Sequence, residues 1–320
     1  MRRFGWARPG GRGHRVMGGA GGASRTAILV CQGRAVAHGR LAPGRFDDPT
    51  ALALLRPAER VVVEQVRADA MPVGAGPRMA FEMVRACGDA MAPRTVTIDD
   101  AVREVARHSA PGTQVVILGA GLDGRAWHLR ELAGIPVFEV DHPATQREKR
   151  ERAGGLAEPV SAPVYVPVDF SRDDLGDALA AAGHRESAPT VWIWEGVVPY
   201  LTRGQTLGTL QVIAARSAPG SRLIIQYHSP TPGFALGRGT AAVLSRLTGS
   251  ENPMAREPNR SAWTPRAMGR AVAAGGFTVT RDDTLLVLAR RFDTPARHRQ
   301  SLRGTRILVA DRPASGPSTG

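Results

Sequence analysis

The chain has 320 residues, of which 42% are hydrophobic and 22% are charged, a composition typical of a globular protein with a sizeable core. Its two cysteines exclude a disulfide scaffold and cannot form a structural zinc site by themselves. The sequence contains no apolar run of the roughly 18–20 residues that a transmembrane helix needs, and no apolar segment follows the first arginines as in a secretory signal. We therefore expect a cytoplasmic protein that does not bind membranes.

The net charge of +13 is concentrated at the two ends of the chain. Residues 1–45 carry nine arginines and no acid, and residues 290–320 carry seven arginines against two aspartates. Of the 42 basic and 29 acidic side chains, 26 and 27 remain between these ends, so the central part is almost neutral. Lys149 is the only lysine, a bias that indicates a GC-rich bacterial genome rather than selection for phosphate contacts. We therefore expect no nucleic-acid binding.

The N-terminal part divides into a tail and a helical segment. Residues 1–23 are rich in Gly and Arg with almost nothing to bury, which predicts a disordered tail, and residues 1–16 precede a second methionine that is an alternative start. Residues 24–110 are predicted to form a mainly helical N-terminal cap.

The segment PRTVTIDDAV (93–102) ends this cap. Arg94 is a candidate cation for the carboxylate of an amino acid, since the planar guanidinium binds carboxylates with two hydrogen bonds. Asp99 and Asp100 are expected to cap a helix that follows them.

From residue 111 onwards, short apolar runs alternate with segments of helical length, which predicts a parallel sheet covered by helices. The predicted strands are 114–118, 136–140, 163–168, 190–194, 221–227, 277–281 and 285–290. The predicted helices between the early strands are 124–133, 143–153, 172–182 and 204–217. The last two runs are separated by three polar residues, which predicts an antiparallel hairpin at the sheet edge. A Pro- and Gly-rich stretch, 229–262, predicts a lid insertion, and residues 293–320 predict a flexible basic tail.

The first predicted strand leads into a glycine-rich turn, VVILGAGLDG (115–124). Gly119, Gly121 and Gly124 fit the pattern G-x-G-x-x-G, in which glycines permit a tight turn and the close approach of a ligand to the backbone. This pattern alone fits a packing turn, a dinucleotide site or the cofactor loop of a methyltransferase.

The second predicted strand ends in acids, within VFEVDHP (137–143). Asp141 lies 20 residues beyond Gly121, a spacing typical of a carboxylate that binds ribose hydroxyls. Glu139 lies further from the strand end and is the weaker candidate. The alternative for Asp141 is a helix N-cap before Pro143.

Two further acids follow strands in the same way. In VPVDF (166–170), Asp169 can accept a hydrogen bond from the exocyclic amine of adenine and Phe170 can line the ring, although helix capping by Asp169 is an equal alternative. In VWIWEGVVPYLT (191–202), Glu195 follows a strongly apolar strand. Ligands of open α/β sheets bind at this edge, so these acids are expected to meet at one site.

Four motifs in this order, GAGLDGR, EVDHPATQREKR, VPVDF and EGVVPYLT, resemble the leucine carboxyl methyltransferase-like family. They are most similar to its bacterial branch of S-adenosylmethionine-dependent methyltransferases. The upstream segments SRTAILVCQGRA (24–35), FDDPTALALL (46–55) and PRTVTIDDAV are similar too, so the resemblance extends from about Ser24 to about Arg290.

The resemblance implies a fold, a cofactor and a reaction. The fold is Rossmann-like, of the α/β class I methyltransferase type, with a seven-stranded mostly parallel sheet, an antiparallel edge hairpin and a single domain over 24–292, in which 111–292 hold the cofactor. The cofactor is S-adenosyl-L-methionine and the reaction is methyl transfer to a carboxyl or hydroxyl oxygen of a small molecule, without a metal. The implied cofactor-binding residues are Arg94, Gly119, Gly121, Asp141, Asp169, Phe170 and Glu195.

Some positions are less well defined by the resemblance. Gly124 stands where the family commonly has Thr, and Phe170 replaces Leu, but neither departure removes a charge. Arg25 is a candidate for a basic residue that helps to hold the cofactor. Tyr200 and His228 are candidate bases, although structural roles are the stronger interpretation, so no catalytic residue is assigned.

Two other functions remain open at this stage. An NAD(P)-dependent oxidoreductase would use the same glycine turn, but it does not generally require Asp169, and the chain lacks an evident Tyr-x-x-x-Lys pair. A nucleic-acid-binding protein would use the arginine-rich ends. Deletion of residues 1–23 separates this last alternative from an enzyme, because a tail-driven binder would lose its salt-dependent affinity.

Overall fold

A computed structural model describes residues 24–108, 110–170, 172–230 and 260–314. The tail predicted for residues 1–23, most of the predicted lid insertion and the last six residues lie outside these ranges. Within the described ranges, no helix has both the length and the apolar character required to cross a membrane.

Seven strands form one sheet with the order β3-β2-β1-β4-β5-β7-β6. Strands β1 to β5 are parallel to one another, and β7 is antiparallel to both β5 and β6. The order reverses between β1 and β4, which is the position where open α/β sheets bind ligands. The strands are β1 (Gln114–Leu118), β2 (Val137–Asp141), β3 (Pro163–Pro167), β4 (Thr190–Trp194), β5 (Arg222–His228), β6 (Thr278–Thr284) and β7 (Thr305–Asp311).

Helices cover both faces of the sheet, and those of residues 24–108 form the N-terminal cap. The predicted helix 124–133 is a short helix followed by a 3-10 turn at Arg130–Leu132. The helices are α1 (Arg25–Ala37), α2 (Thr50–Ala53), α3 (Pro57–Arg67), α4 (Ala75–Ala106), α5 (Arg125–His128), α6 (Pro143–Ala153), α7 (Leu175–Ala181), α8 (Arg203–Ala215), α9 (Pro265–Ala274), α10 (Leu285–Arg291) and α11 (Arg299–Gly304).

The core has one layer on each face of the sheet, because successive side chains of a strand point to opposite faces. Ile117, on β1, packs in the layer formed with α4 and α10, whereas Leu118 packs in the layer formed with α7, α8 and α9. All five residues of β1 and of β4 are buried. This burial explains why each of these strands has four consecutive apolar residues and could be recognised in the sequence.

The end of the chain differs from the prediction in two ways. Residues 285–290 form helix α10 rather than a hairpin strand, with Thr284 as its N-cap, accepting a hydrogen bond from the Val287 amide at 3.2 Å. The seventh strand is β7, which lies within the stretch 293–320 that was predicted to be a flexible tail. It lies between β5 and β6 with both of its faces buried, so the antiparallel edge is present but uses a different segment of chain.

The N-terminal cap also differs from the prediction, at Asp99 and Asp100. Asp99 and Asp100 lie inside the 32-residue helix α4 and do not cap a following helix. Asp100 is near the surface and pairs with Arg45, with 2.6 Å between Oδ2 and Nη2. Asp99 is buried, and its partner is Arg125 at the start of α5.

Candidate functional site

A cavity of about 370 Å³ lies at the carboxyl edge of the parallel strands. Its walls come from the turn after β1, from the residues that follow β2, β3 and β4, from one face of α1 and from Arg94 of α4. The cavity therefore brings together all of the residues that the sequence analysis proposed for cofactor binding: Arg94, Gly119, Gly121, Asp141, Asp169, Phe170 and Glu195.

The three glycines of the turn have different roles. Gly119 and Gly121 have φ angles of +69° and +52°, which favour glycine over other residues. A Cβ atom at Gly119 would also lie 2.2 Å from a methyl carbon of Val197. Gly124 does not line the cavity, and a Cβ atom there would lie 1.9 Å from the Thr50 hydroxyl oxygen. The third glycine thus serves packing between the sheet and the cap.

Asp141 is held at the cavity by two backbone amides. The amide of Gly121 donates to its Oδ2 and the amide of His142 to its Oδ1, both at 2.6 Å. Burial raises the pKa of Asp141 above its ordinary value, although these two hydrogen bonds oppose the shift. The N-cap of α6 is His142, whose Nδ1 accepts from the Ala144 amide at 3.2 Å, so the capping alternative for Asp141 was wrong.

Glu139, two residues earlier on β2, is not part of the cavity wall. Its carboxylate is fully buried, with Oε2 lying 2.5 Å from the Lys149 ammonium. Burial raises the pKa of Glu139 to about 7 despite this pair. The weaker of the two candidate acids on β2 is therefore part of the core.

Asp169 and Phe170 follow β3 on the opposite side of the cavity from β4. The backbone amide of Asp169 donates to Oδ2 of Asp173 at 2.8 Å, and the N-cap of the next helix, α7, is Asp174. The capping alternative for Asp169 is therefore wrong as well. Phe170 packs against the core layer that contains α7 and α8.

Glu195 belongs to a buried set of charges that we call the cavity cluster, formed by Arg94, Asp99, Asp123, Arg125 and Glu195. Oε1 of Glu195 lies 2.6 Å from Nε of Arg94, and Oε2 accepts from Nη1 of Arg125 at 3.0 Å. Burial opposes the ionisation of Glu195, but these two guanidiniums lower its pKa below the ordinary value. Glu195 is therefore an ionised carboxylate at the cavity wall.

These features match a known family. The sequence profile of the leucine carboxyl methyltransferase family matches residues 27–214. The chain belongs to this family.

Curated relatives carry provisional names of the same kind. An S-adenosyl-L-methionine-dependent methyltransferase from Mycolicibacterium gilvum, so named provisionally, is 36% identical over 203 residues, which cover 63% of this chain and 65% of the relative. A second, from Mycobacterium avium, is 42% identical over 116 residues, or 35% of this chain and 36% of the relative. The chain therefore spans slightly less than two thirds of the M. gilvum relative.

Two solved structures are similar in fold to this chain over nearly its whole length. A DUF574 family protein from Streptomyces avermitilis has a TM-score of 0.53 and 13% identity, covering 91% of this chain and 98% of its own. A provisionally named methyltransferase from Thermobifida fusca has a TM-score of 0.50 and 16% identity, covering 91% and 96%. At these identities the likeness concerns the Rossmann-like architecture alone.

Sequence reasoning missed two buried arginines of this family member. Arg34 on α1 lines the cavity, pairs with Asp48 at 3.3 Å and donates a short hydrogen bond to the Leu122 carbonyl. Arg25, the basic residue considered from the resemblance, is exposed and does not line the cavity. The second, Arg125, is the last residue of the motif GAGLDGR and was given no role of its own.

The two candidate bases differ in position. Tyr200 lines the cavity, whereas His228, the last residue of β5, is not among the residues of its wall. Burial, with a smaller contribution from Arg94, lowers the pKa of His228 to about 4, so its imidazole is neutral at physiological pH. A proton acceptor at the cavity would therefore be sought first at Tyr200.

Proposed function

We propose that this chain is an S-adenosyl-L-methionine-dependent methyltransferase. The observation that carries the proposal is the meeting of the glycine turn, Asp141, Asp169 and the pair Arg94–Glu195 around one cavity. Membership of the leucine carboxyl methyltransferase family and the names of the curated relatives support it.

The size and charge of the cavity fit this cofactor. A volume of about 370 Å³ lies within the range of small-molecule sites, roughly 300–1,000 Å³. The cofactor has a sulfonium, an ammonium and a carboxylate group, which leave a net positive charge. The cavity wall carries one more carboxylate than guanidinium: Asp123, Asp141, Asp169 and Glu195 against Arg34, Arg94 and Arg260.

The pair Arg94–Glu195 is complementary to the amino-acid end of such a ligand. Its guanidinium and carboxylate lie side by side, as do the carboxylate and ammonium of an α-amino acid. Arg94 would bind the ligand carboxylate and Glu195 its ammonium, each through hydrogen bonds between charged groups. At the other end, Asp141 would accept from the ribose hydroxyls, while Asp169 and Phe170 would bind the adenine.

When bound, the cofactor would supply an electrophilic methyl group on a positively charged sulfur: an acceptor oxygen would bond to the methyl carbon in line as the S–C bond breaks, and the electron pair of that bond would leave with the sulfur as S-adenosylhomocysteine. Val197, Tyr200 and Leu201 line the cavity beyond the glycine turn and would position the acceptor and exclude water. This role of positioning is sufficient if the acceptor is a carboxylate, since no proton has to be removed. A hydroxyl acceptor requires a base, for which Tyr200 is the candidate at the wall.

We infer that the acceptor is a small molecule that receives the methyl group on a carboxyl or hydroxyl oxygen. The test is a screen of carboxylic acids, phenols and protein fractions with cofactor labelled in the methyl group. Release of the label by mild alkali would indicate a methyl ester, and retention would indicate an ether. Label found only in protein would overturn the small-molecule proposal.

The cofactor itself is tested by calorimetry on the wild type and on Asp141→Ala. We expect the wild type to bind S-adenosylmethionine and S-adenosylhomocysteine, and the variant to lose at least about tenfold in affinity, because a charged hydrogen-bond acceptor is removed. Asp100→Ala is the control, since it removes an acid from the surface of α4 and should leave affinity unchanged. Binding of NADH or NADPH instead would overturn the proposal in favour of an oxidoreductase.

A further inference from the structure

Arg125 is the least exposed member of the cavity cluster, with 1% of its side chain accessible. It begins α5, directly after the glycine turn, and does not itself line the cavity. Its guanidinium contacts three carboxylates, with Nε 2.6 Å from Oδ1 of Asp99, Nη1 2.5 Å from Oδ2 of Asp123 and Nη1 3.0 Å from Oε2 of Glu195.

These contacts help to fix the position of the Glu195 carboxylate. Arg94 binds one oxygen of the Glu195 carboxylate and Arg125 binds the other, so the plane of the carboxylate is defined by two guanidiniums on different helices. Asp99, on α4, in turn holds the Nε side of Arg125. The chain of contacts thus runs from the helical cap through Arg125 to the cavity wall.

Arg125 is also one of the charges that keep the Glu195 carboxylate ionised. Arg94 from α4, Arg125 from α5 and Arg34 from α1 favour the carboxylate, whereas Asp123 from the glycine turn opposes it. His228 from β5 is neutral and faces Arg94. Without Arg125, the Asp123 carboxylate would remain beside Glu195 with less opposing charge, in a buried environment that disfavours two ionised acids.

We propose that Arg125 is a positioning residue that fixes the orientation and charge of Glu195 so that this carboxylate can receive the ammonium group of the ligand. The inference rests on the proposed function, because it assumes that Glu195 binds an ammonium. An arginine is required, since its planar fork directs Nε and Nη1 to different carboxylates at once, while a lysine has a single nitrogen.

The test compares two ligands that differ in the amino-acid end. S-adenosylhomocysteine carries the ammonium and carboxylate, and 5′-methylthioadenosine has the same nucleoside and sulfur without them. Calorimetry on Arg125→Gln should show a loss of about 10- to 100-fold in affinity for S-adenosylhomocysteine and less than about threefold for methylthioadenosine. Arg125→Lys should recover part of the loss.

A pH series adds a measurement that a purely structural role would not change. Both ligands would contact Asp141 through the ribose, so the titration of Asp141 should affect their affinities equally. The ratio of the two affinities is therefore independent of Asp141. In the wild type this ratio should stay flat from about pH 8 to about pH 5.5, and in Arg125→Gln it should fall towards acid pH as Glu195 becomes protonated. Asp99→Asn, which leaves the charge of Arg125 in place, should give a smaller loss with a flat profile.

The outcomes separate this inference from the proposed function. If the wild type binds neither S-adenosylmethionine nor S-adenosylhomocysteine, the proposed function fails. If the wild type binds both, and Arg125→Gln loses the two test ligands equally or loses neither, Arg125 does not act through Glu195. Arg222→Gln is the matched control, because Arg222 is also a buried arginine in an ion pair but is not part of the cavity wall. It should change neither the ratio of the two affinities nor its pH profile. Should Arg125→Gln fail to fold, Arg125→Lys and Asp99→Asn still decide the ratio.

Discussion

Within the described residues, two of the regions that hold buried arginines differ in their surroundings. At the antiparallel side, Arg222 of β5 binds both oxygens of Asp311, its direct neighbour on β7, at 2.6 and 2.9 Å, and also Glu104 at 2.8 Å. We call these three residues the edge cluster. Side-chain exposures of 35% for Asp311 and 55% for Glu104 show that both acids reach solvent.

The cavity cluster contains the same residue types, but its side chains are less exposed to solvent. The exposure of its side chains does not exceed 11%, and two of its acids, Asp123 and Glu195, line the cavity. An arginine in the edge cluster joins two strands, and its acids remain hydrated. In the cavity cluster the arginines hold ionised carboxylates out of water, which is expensive for stability but leaves charge available for a ligand.

The largest effect is expected from Glu195→Gln. Loss of the carboxylate removes the acceptor for the ligand ammonium and leaves Arg94 without its buried partner, so affinity for S-adenosylhomocysteine should fall by about 100-fold or more and unfolding free energy by about 3 kcal/mol. Calorimetry and urea unfolding measure the two effects. In a cycle with Arg125→Gln the losses in affinity should not add, because both act on the same contact. Additive losses would show that the two residues act separately.

A smaller effect, on stability alone, is expected from Arg222→Gln. Its partners can be rehydrated at the surface, so the loss of unfolding free energy should be about 1–2 kcal/mol, less than for a fully buried pair. Affinity for S-adenosylhomocysteine should stay within about twofold of the wild type. A clear loss of affinity in urea-stable protein would contradict the separation of the two clusters.

The smallest effect concerns His228, the last residue of the strand that Arg222 begins. Its pKa is about 4 in the folded protein and 6.5 without the burial, so the unfolded chain takes up a proton first as the pH falls. Stability should therefore decrease on acidification, by about 1 kcal/mol between pH 6.5 and about pH 5.5. In His228→Asn, the urea concentration at the unfolding midpoint should depend less on pH in this range. Burial also lowers the pKa of His184, so the part of the pH dependence that comes from His184 should persist in the variant. An unchanged profile would contradict the prediction.

The parallel half of the sheet was predictable because its signals are local. Strands β1 to β5 lie within one residue of the predicted runs, because strands inside a sheet covered by helices are mainly apolar and stand out from the polar segments between them. The acids Asp141, Asp169 and Glu195 could be chosen because each directly follows such a run, and parallel strands bring their carboxyl ends to one edge. The roles of these acids in ligand binding remain predictions.

The antiparallel half was not predictable on the same basis. The run LLVLAR is as apolar as a strand, and only its packing against α4 and the cap at Thr284 make it a helix. The strand β7 has arginines on either side of its apolar residues, so it was interpreted as part of a basic tail. Arg34 and Arg125 were missed for a related reason: a charged side chain is expected at the surface, and its burial depends on acids that are distant in the chain.

The position of β7 has a consequence for synthesis of the protein. As the chain leaves the ribosome, β1 to β5 can pair in turn, but β6 emerges before the only strand beside it in the sheet. Until residues 305–311 follow, β5 keeps an open edge and β6 has no neighbour with which to pair. Nascent chains stalled before residue 305 should therefore show an unpaired, aggregation-prone edge, and completion of the sheet should be among the last events of folding.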